Sequence, residues 1–197
     1  MPTKSTLSKP FQQDLTTCDH QNENTIEFFG IRKNMTTMFF QNGKAKEWSQ
    51  LPKNLFVIMA NAYQQDQGAK TYFSTWNIPY KRQVELFTYF GWGTLDHKPD
   101  IINGVLQPCE NFRHSENCPS VKFDTKHFTI NRQQLTERDL KIIDISAKGT
   151  LNTEAARMLN ITVSTYNSHK AKLFKKTGTD GVVSLLMAAF KEKLIAS

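Results

Sequence analysis

A mainly α fold is expected, on three observations. Residues 135–197 carry four short segments with apolar residues at helical spacing, separated by tight polar turns. Residues 52–92 hold three further helical segments, two of them opened by a proline. Between these stretches, residues 93–120 show Pro, Gly and Asn punctuation with no long apolar period. The architecture expected is therefore a compact four-helix C-terminal unit, preceded by a mostly helical N-terminal unit with a loop-rich segment.

Taken in order, residues 1–22 are rich in Thr, Ser, Gln and Asp without periodicity and read as a flexible arm. From Ile26 to Phe40 the blocks "IEFFGI" and "MTTMFF" fit either a short strand pair or a broken helix. "LPKNLFVIMANAYQQDQ" is a helix with Pro52 near its start and Leu55, Ile58, Met59 and Tyr63 on one face. "GAKTYFSTWNI" is a second short helix. "PYKRQVELFTYFGWG" is a third, opened by Pro79, closed by Gly91, with Val84, Phe87 and Phe90 on one face. Such aromatic stripes ordinarily build cores. Residues 23–120 are read as a sensory or interaction domain, 121–134 as a linker and 135–197 as a separate domain.

Composition narrows the class. With 39% hydrophobic and 22% charged residues the chain is of the globular type. No apolar run reaches the roughly 18 residues a membrane span needs, and the N-terminus lacks a signal-peptide core, so a cytoplasmic protein is expected. Its net charge of +7 is unevenly placed: residues 1–130 carry 14 Lys and Arg against 12 acids, residues 131–197 carry 11 against 6. Three scattered cysteines do not make a disulfide framework.

In the last third, Thr136 followed by Asp139 is an acidic capping box, Leu140, Ile143 and Ala147 share a face, and Gly149 suits a C-cap. "TEAARMLN" is a second helix, with small Ala155 and Ala156 beside Leu159. Thr162 caps a third helix from Val163 that ends at Gly178. "DGVVSLLMAAFKEKLIAS" is a fourth, with Val183, Leu186, Met187 and Phe190 available for packing. The middle two helices form a helix-turn-helix pair.

These residues resemble the LuxR-type, or GerE-type, DNA-binding domain of bacterial transcription regulators over about 55 residues without a gap. The family's Leu-Thr-x-Arg-Glu opening corresponds to Leu135, Thr136, Arg138 and Asp139. Its Ala-x-Gly and Asn-x-Glu-Ile-Ala blocks correspond to Ala147, Gly149, Asn152, Glu154, Ala155 and Ala156. Its third-helix pattern corresponds to Thr165, Tyr166, His169, Leu173, Lys176, Thr177 and Gly178. Tyr166 replaces a usual Val, Ala155 a usual Ile, Asn167 a frequent Lys and Lys172 a frequent Asn. The resemblance implies a sequence-specific regulator that binds double-stranded DNA, pairs as a homodimer through helix 180–193, and is not an enzyme. The middle segment "DHKPDIINGVLQP" faintly resembles an insert preceding the same domain in regulators of Bacteroidota and their mobile elements.

In such a pair the second helix, 163–177, enters the major groove. Helical spacing turns Tyr166, His169 and Leu173 inward, and Asn167, Ser168 and Ala171 outward with Lys170 beside them. Asn pairs bidentately with adenine, Ser serves either base type, and Ala meets a thymine methyl. Lys172, Lys175 and Lys176 suit phosphates, and equally the negative end of their own helix. Thr165 near the helix start is a further phosphate candidate.

Cys109, His114 and Cys118 form C-x4-H-x3-C, a spacing that could hold zinc if His97, Cys18, His20 or His127 completed the set; buried thiols and surface histidines are the alternative. No other cofactor is expected. Residues 23–130 show neither the βα alternation and acidic pair of a phosphoacceptor domain nor the length of an autoinducer-binding sandwich. They also lack any phosphate loop, activated nucleophile or carboxylate dyad. The alternative function is a protein-interaction module that retains the helix-turn-helix fold without binding DNA.

Overall fold

The computed structural model describes residues 25–195. The arm expected at 1–22, with Cys18 and His20, lies outside the described residues.

The N-terminal unit departs from the mostly helical expectation, because it is organised on a five-stranded antiparallel sheet of order β3-β2-β1-β4-β5. Strands β1 (Thr25–Ile31), β2 (Thr36–Gln41) and β3 (Lys44–Glu47) form a meander. Strands β4 (Ile101–Ile102) and β5 (Val105–Leu106) join it on the far side of β1. The Phe- and Thr-rich run over 25–41 therefore resolves as a strand pair. Phe28 and Phe39 are cross-strand partners, both fully buried, and Phe29 and Phe40 stack on the opposite face with centroids 4.8 Å apart. Asn42–Gly43 and Asn103–Gly104 turn the β2–β3 and β4–β5 hairpins, all four residues at positive φ of 51 to 79°. That is the type I′ geometry whose twist matches paired strands, and Gly tolerates it because it has no Cβ.

Three helices cover the sheet: α1 (Lys53–Gln65), α2 (Gln67–Ser74) and α3 (Tyr80–Trp92). Leu55, Met59 and Tyr63 of α1 and Val84, Phe87 and Phe90 of α3 are buried, as their spacing required. Helix α3 runs one residue beyond Gly91, and Gly93 caps it. Asp66 caps α2 by accepting from Ala69 N, and both its carboxylate oxygens also accept from the backbone of Asp124 and Thr125. The stretch expected to be a linker is thereby tied down. Phe123 lies in the first core, while Phe128 and Ile130 belong to the second.

The C-terminal unit follows β6 (Thr129–Ile130) and β7 (Gln133–Gln134) and comprises α4 (Glu137–Ala147), α5 (Asn152–Met158), α6 (Val163–Thr177) and α7 (Val182–Lys191). The capping box holds on both sides: Thr136 Oγ1 accepts from Asp139 N at 3.2 Å and Asp139 Oδ2 from Thr136 N at 2.9 Å. Leu140, Ile143, Ala155, Ala156, Tyr166, Leu173, Leu185 and Ala189 form the core. The bulky Tyr166 shares that core with the small Ala155 and Ala156.

Residues of the loop-rich segment, Arg113 foremost, fasten the two units together. Arg113 is 3% exposed and donates to both oxygens of Asp144 on α4, at 2.5 and 3.0 Å, and to the Leu194 carbonyl from Nε and Nη2. Its backbone N–H reaches the Lys193 carbonyl, and the Asn111 amide bridges Thr129 and Glu192. A buried guanidinium with all three nitrogens engaged is the kind of polar group an interior tolerates.

No helix among the described residues is long and apolar enough to cross a membrane.

Candidate nucleic-acid interface

Helix α6 is positioned by its ends and by α5. At its start Thr162 Oγ1 accepts from Thr165 N at 3.1 Å, and at its end Gly178 takes the left-handed conformation, φ 66°, with its N–H bonded to the Phe174 carbonyl. The turn before it passes through Asn160 at φ 52°. Tyr166, Leu173 and Thr177 are buried beneath α6, and His169 is half-buried with Nε2 3.4 Å from Arg138 Nη1. Exposed on α6 are Val163 and Ser164 in its first turn and, among the expected contact residues, Thr165, Asn167, Ser168, Ala171, Lys172 and Lys175. None of the side chains from 163 to 178 is acidic.

The other two expected contact residues stand differently. Lys170 is half-buried and donates to Asn152 Oδ1 at 2.9 Å, with its ammonium 5.4 Å from the Tyr166 ring centroid. Asn152, the first residue of α5, in turn donates to Asn167 Oδ1 at 3.0 Å. Lys176 is also half-buried and bonds Asp139 Oδ2 at 2.7 Å. Burial pushes the Asp139 pKa up, but hydrogen bonds from Lys176 and Thr136 outweigh it and the net shift is downward. Lys176 is thus a strut between α4 and α6. Asn152 and Asp139 are the participants that sequence reasoning left out of the site. Both stand in the matched motif, but their partners lie 15 and 37 residues away, beyond any helical spacing.

The zinc candidates do not assemble. Among the described residues no group of three His, Cys, Asp or Glu side chains could hold a metal. Cys109 faces Thr125 Oγ1 at 3.7 Å, Cys118 faces Ser120 Oγ at 3.1 Å, and His114 stacks flat on Tyr89. His127 is bonded to Gln134, and the His97 backbone is held by Glu27. Burial raises the Cys109 thiol to about 11, which keeps it protonated and a poor ligand.

A helix pair with a tight turn, an exposed polar second helix and a supporting first and fourth helix defines the C-terminal unit as a helix-turn-helix domain. Residues 133–189 match the family model GerE, described as bacterial regulatory proteins of the luxR family. Among characterised proteins, the oxygen regulatory protein NreC of Staphylococcus aureus strains JH9, JH1 and USA300 is 35% identical to this chain over 72 residues. That stretch covers 36% of this chain and 33% of each relative, so the chain spans about a third of the length of the proteins it matches. No solved structure gives a significant match.

Proposed function

We propose that the chain is a transcription regulator that binds double-stranded DNA by placing α6 in the major groove. The observation carrying this reading is the division of the exposed face of α6. Its first half offers uncharged hydrogen-bonding and methyl groups from Asn167, Ser168 and Ala171, and its second half offers the exposed cations Lys172 and Lys175. Uncharged side chains suit base edges and cations suit phosphates, in the order a helix entering the groove by its N-terminal end would present them. Thr165 lies at the same end for a phosphate contact. The Asn152–Asn167–Lys170 relay supports a fixed orientation for the Asn167 amide, and a fixed amide discriminates better than a freely rotating one. The test is selection of bound duplexes from a random pool, followed by Asn167→Ala. Enrichment of a defined sequence, and loss of preference at one base pair in the variant, is the expected result; no enrichment above random DNA would overturn it.

Pairing of two copies on DNA goes with this reading. Val183, Met187 and Phe190 of α7 are 73, 70 and 76% exposed and lie at i, i+4 and i+7, one continuous apolar stripe. An unpaired stripe of this size is unusual on a monomer and is covered if α7 packs on its copy. The interaction-module reading draws on the same stripe and on the internal pairing of Lys170 and Lys176. It predicts no salt-dependent shift of a random duplex, whereas the DNA reading predicts a steep one.

A further inference from the structure

Three hairpins among the described residues turn through two consecutive residues at positive φ, and two of the three use Asn-Gly. The third, between β6 and β7, uses Asn131–Arg132, at φ 50 and 64°. We propose that Arg132 holds a DNA phosphate beside α6, a contact made from outside the helix-turn-helix pair. The proposal rests on the DNA-binding reading and adds a second structural element to the interface. Both turn residues precede 133–189, the stretch covered by the luxR-family model, so that match assigns them no role.

Arg132 is an outlier in its turn. Type I′ geometry asks positive φ of both central residues, and glycine suits the second because a Cβ crowds the backbone there. At Gly43 and Gly104 an added Cβ would meet nothing within 4 Å, so those glycines answer the backbone and not a lack of space. Arginine in the equivalent place is strained, and no contact inside the protein offsets the strain. Its side chain is exposed and makes no hydrogen bond or ion pair with any described residue. A residue held in a rare conformation and engaging nothing of its own fold points to a contact beyond it.

Its neighbour fixes where that contact falls. Asn131 donates from Nδ2 to the carbonyl of Thr177, the last residue of α6, at 2.7 Å. The hairpin is also anchored at its base: Ile130 and Phe128 are buried in the C-terminal core, and Leu135 N bonds the Phe128 carbonyl at 2.7 Å. The tip is therefore held at the C-terminal end of α6, close in sequence to the exposed Lys172 and Lys175. A helix of 15 residues is about 22 Å long and the major groove about 12 Å wide. Entering by its N-terminal half, α6 carries its C-terminal end out to the flanking phosphates. A guanidinium there meets a phosphate with two parallel hydrogen bonds, which its planar fork favours.

The competing use of the charge is internal, since a cation near the negative end of α6 stabilises that helix. Arg132→Gly separates the two, because it relieves the φ strain and removes the charge together. Under phosphate contact the melting temperature of the full chain stays at or above that of the parent. Anisotropy of a labelled random-sequence duplex should meanwhile show the slope of log affinity against log salt reduced by about 0.9 per protomer. Over a fourfold rise in salt the fall in affinity is then about 3.5-fold smaller. Arg132→Lys should keep the slope. Asn131→Gly keeps the turn but frees it from Thr177, and should weaken binding as well. The double variant should bind no worse than Arg132→Gly alone, because both changes remove one contact. The loss should be equal on selected and random duplexes, since phosphates carry no sequence.

A lower melting temperature with an unchanged slope assigns Arg132 to the helix end and overturns the contact. Loss confined to one base sequence overturns it as a phosphate contact, and additive losses in the double variant overturn its placement by Asn131. A parent chain without salt-dependent binding overturns the DNA-binding reading and this contact with it. An unchanged slope in Arg132→Gly, where the parent binds steeply, overturns the contact alone.

Discussion

Replacing both exposed lysines of α6 by alanine is the sharpest test of how the charge is used. Lys172 and Lys175 are exposed and bonded to no acid among the described residues, whereas Lys176 is held at 2.7 Å by Asp139. On duplex DNA each phosphate contact contributes about 0.9 to the slope of log affinity against log salt, so losing two lowers the slope by about 1.8 per protomer. Over a fourfold rise in salt that amounts to about a twelvefold difference in how far affinity falls. Lys176→Ala should behave in the opposite way. It leaves Asp139 without its cation and lowers folding stability by on the order of 1 kcal/mol, with the salt slope unchanged. The assay is fluorescence anisotropy of a labelled random-sequence duplex from 50 to 200 mM salt, with urea unfolding run in parallel. An unchanged slope in the double variant, or a slope change in Lys176→Ala equal to that of an exposed lysine, would refute the division between grip and strut.

Three further outcomes follow from the same structure. Arg113→Ala strands the Asp144 carboxylate in the seam between the units and should cost about 3 to 5 kcal/mol, most of it recovered in the Arg113→Leu, Asp144→Leu pair, as read by denaturant midpoints. Met187→Glu and Phe190→Glu change side chains that are 70 and 76% exposed, so monomer stability should hold within about 0.5 kcal/mol while the paired species on DNA disappears in sedimentation; persistence of the pair would remove α7 as the contact. Burial raises Asp100 to about 9 and Glu110 to about 8, so the folded chain keeps protons that the unfolded chain loses above its ordinary carboxyl range of about 4. These two groups make stability fall as pH rises from that range through 8 to 9. Asp100→Asn, which keeps an oxygen to accept from Phe28 N, should flatten the decline in melting temperature between pH 5 and 8, and an equally steep decline would count against it.

The C-terminal unit was legible because its signals are local. Thr136 and Asp139, Thr162 and Thr165, and Gly178 each act within one helical turn, and the structure uses every one of them as a cap. Burial of Tyr166 and Leu173 follows from helical spacing in the same way. The stripe Asn167, Ser168, Ala171 emerges on the outside for the same reason. Pairings across the unit leave no such mark. Nothing in the sequence couples Asn152 to Asn167 or Asp139 to Lys176, because a hydrogen bond between helices depends on their crossing and not on either helix alone.

The sheet was less legible for a physical reason that two dipeptides could have supplied. β3 reads "KAKE", with no large apolar residue, and β4 and β5 are two residues each, so apolar alternation has nothing to register. Asn42–Gly43 and Asn103–Gly104 are the stronger signal, since Asn-Gly between extended segments favours the positive-φ turn that closes a hairpin. Read that way, "MFFQNGKAKE" is a hairpin, and "IINGVL" a second. The loop-rich segment then has its reason to stay folded without a metal. Its first part is a strand pair on the edge of the sheet with Ile101 in the core, and its second part carries Arg113, whose buried pairing with Asp144 anchors it to α4. The same guanidinium that orders the loop therefore ties the α4–α7 unit to the sheet domain, beside the Asn111 bridge to Thr129 and Glu192 and the Lys148–Glu116 ion pair.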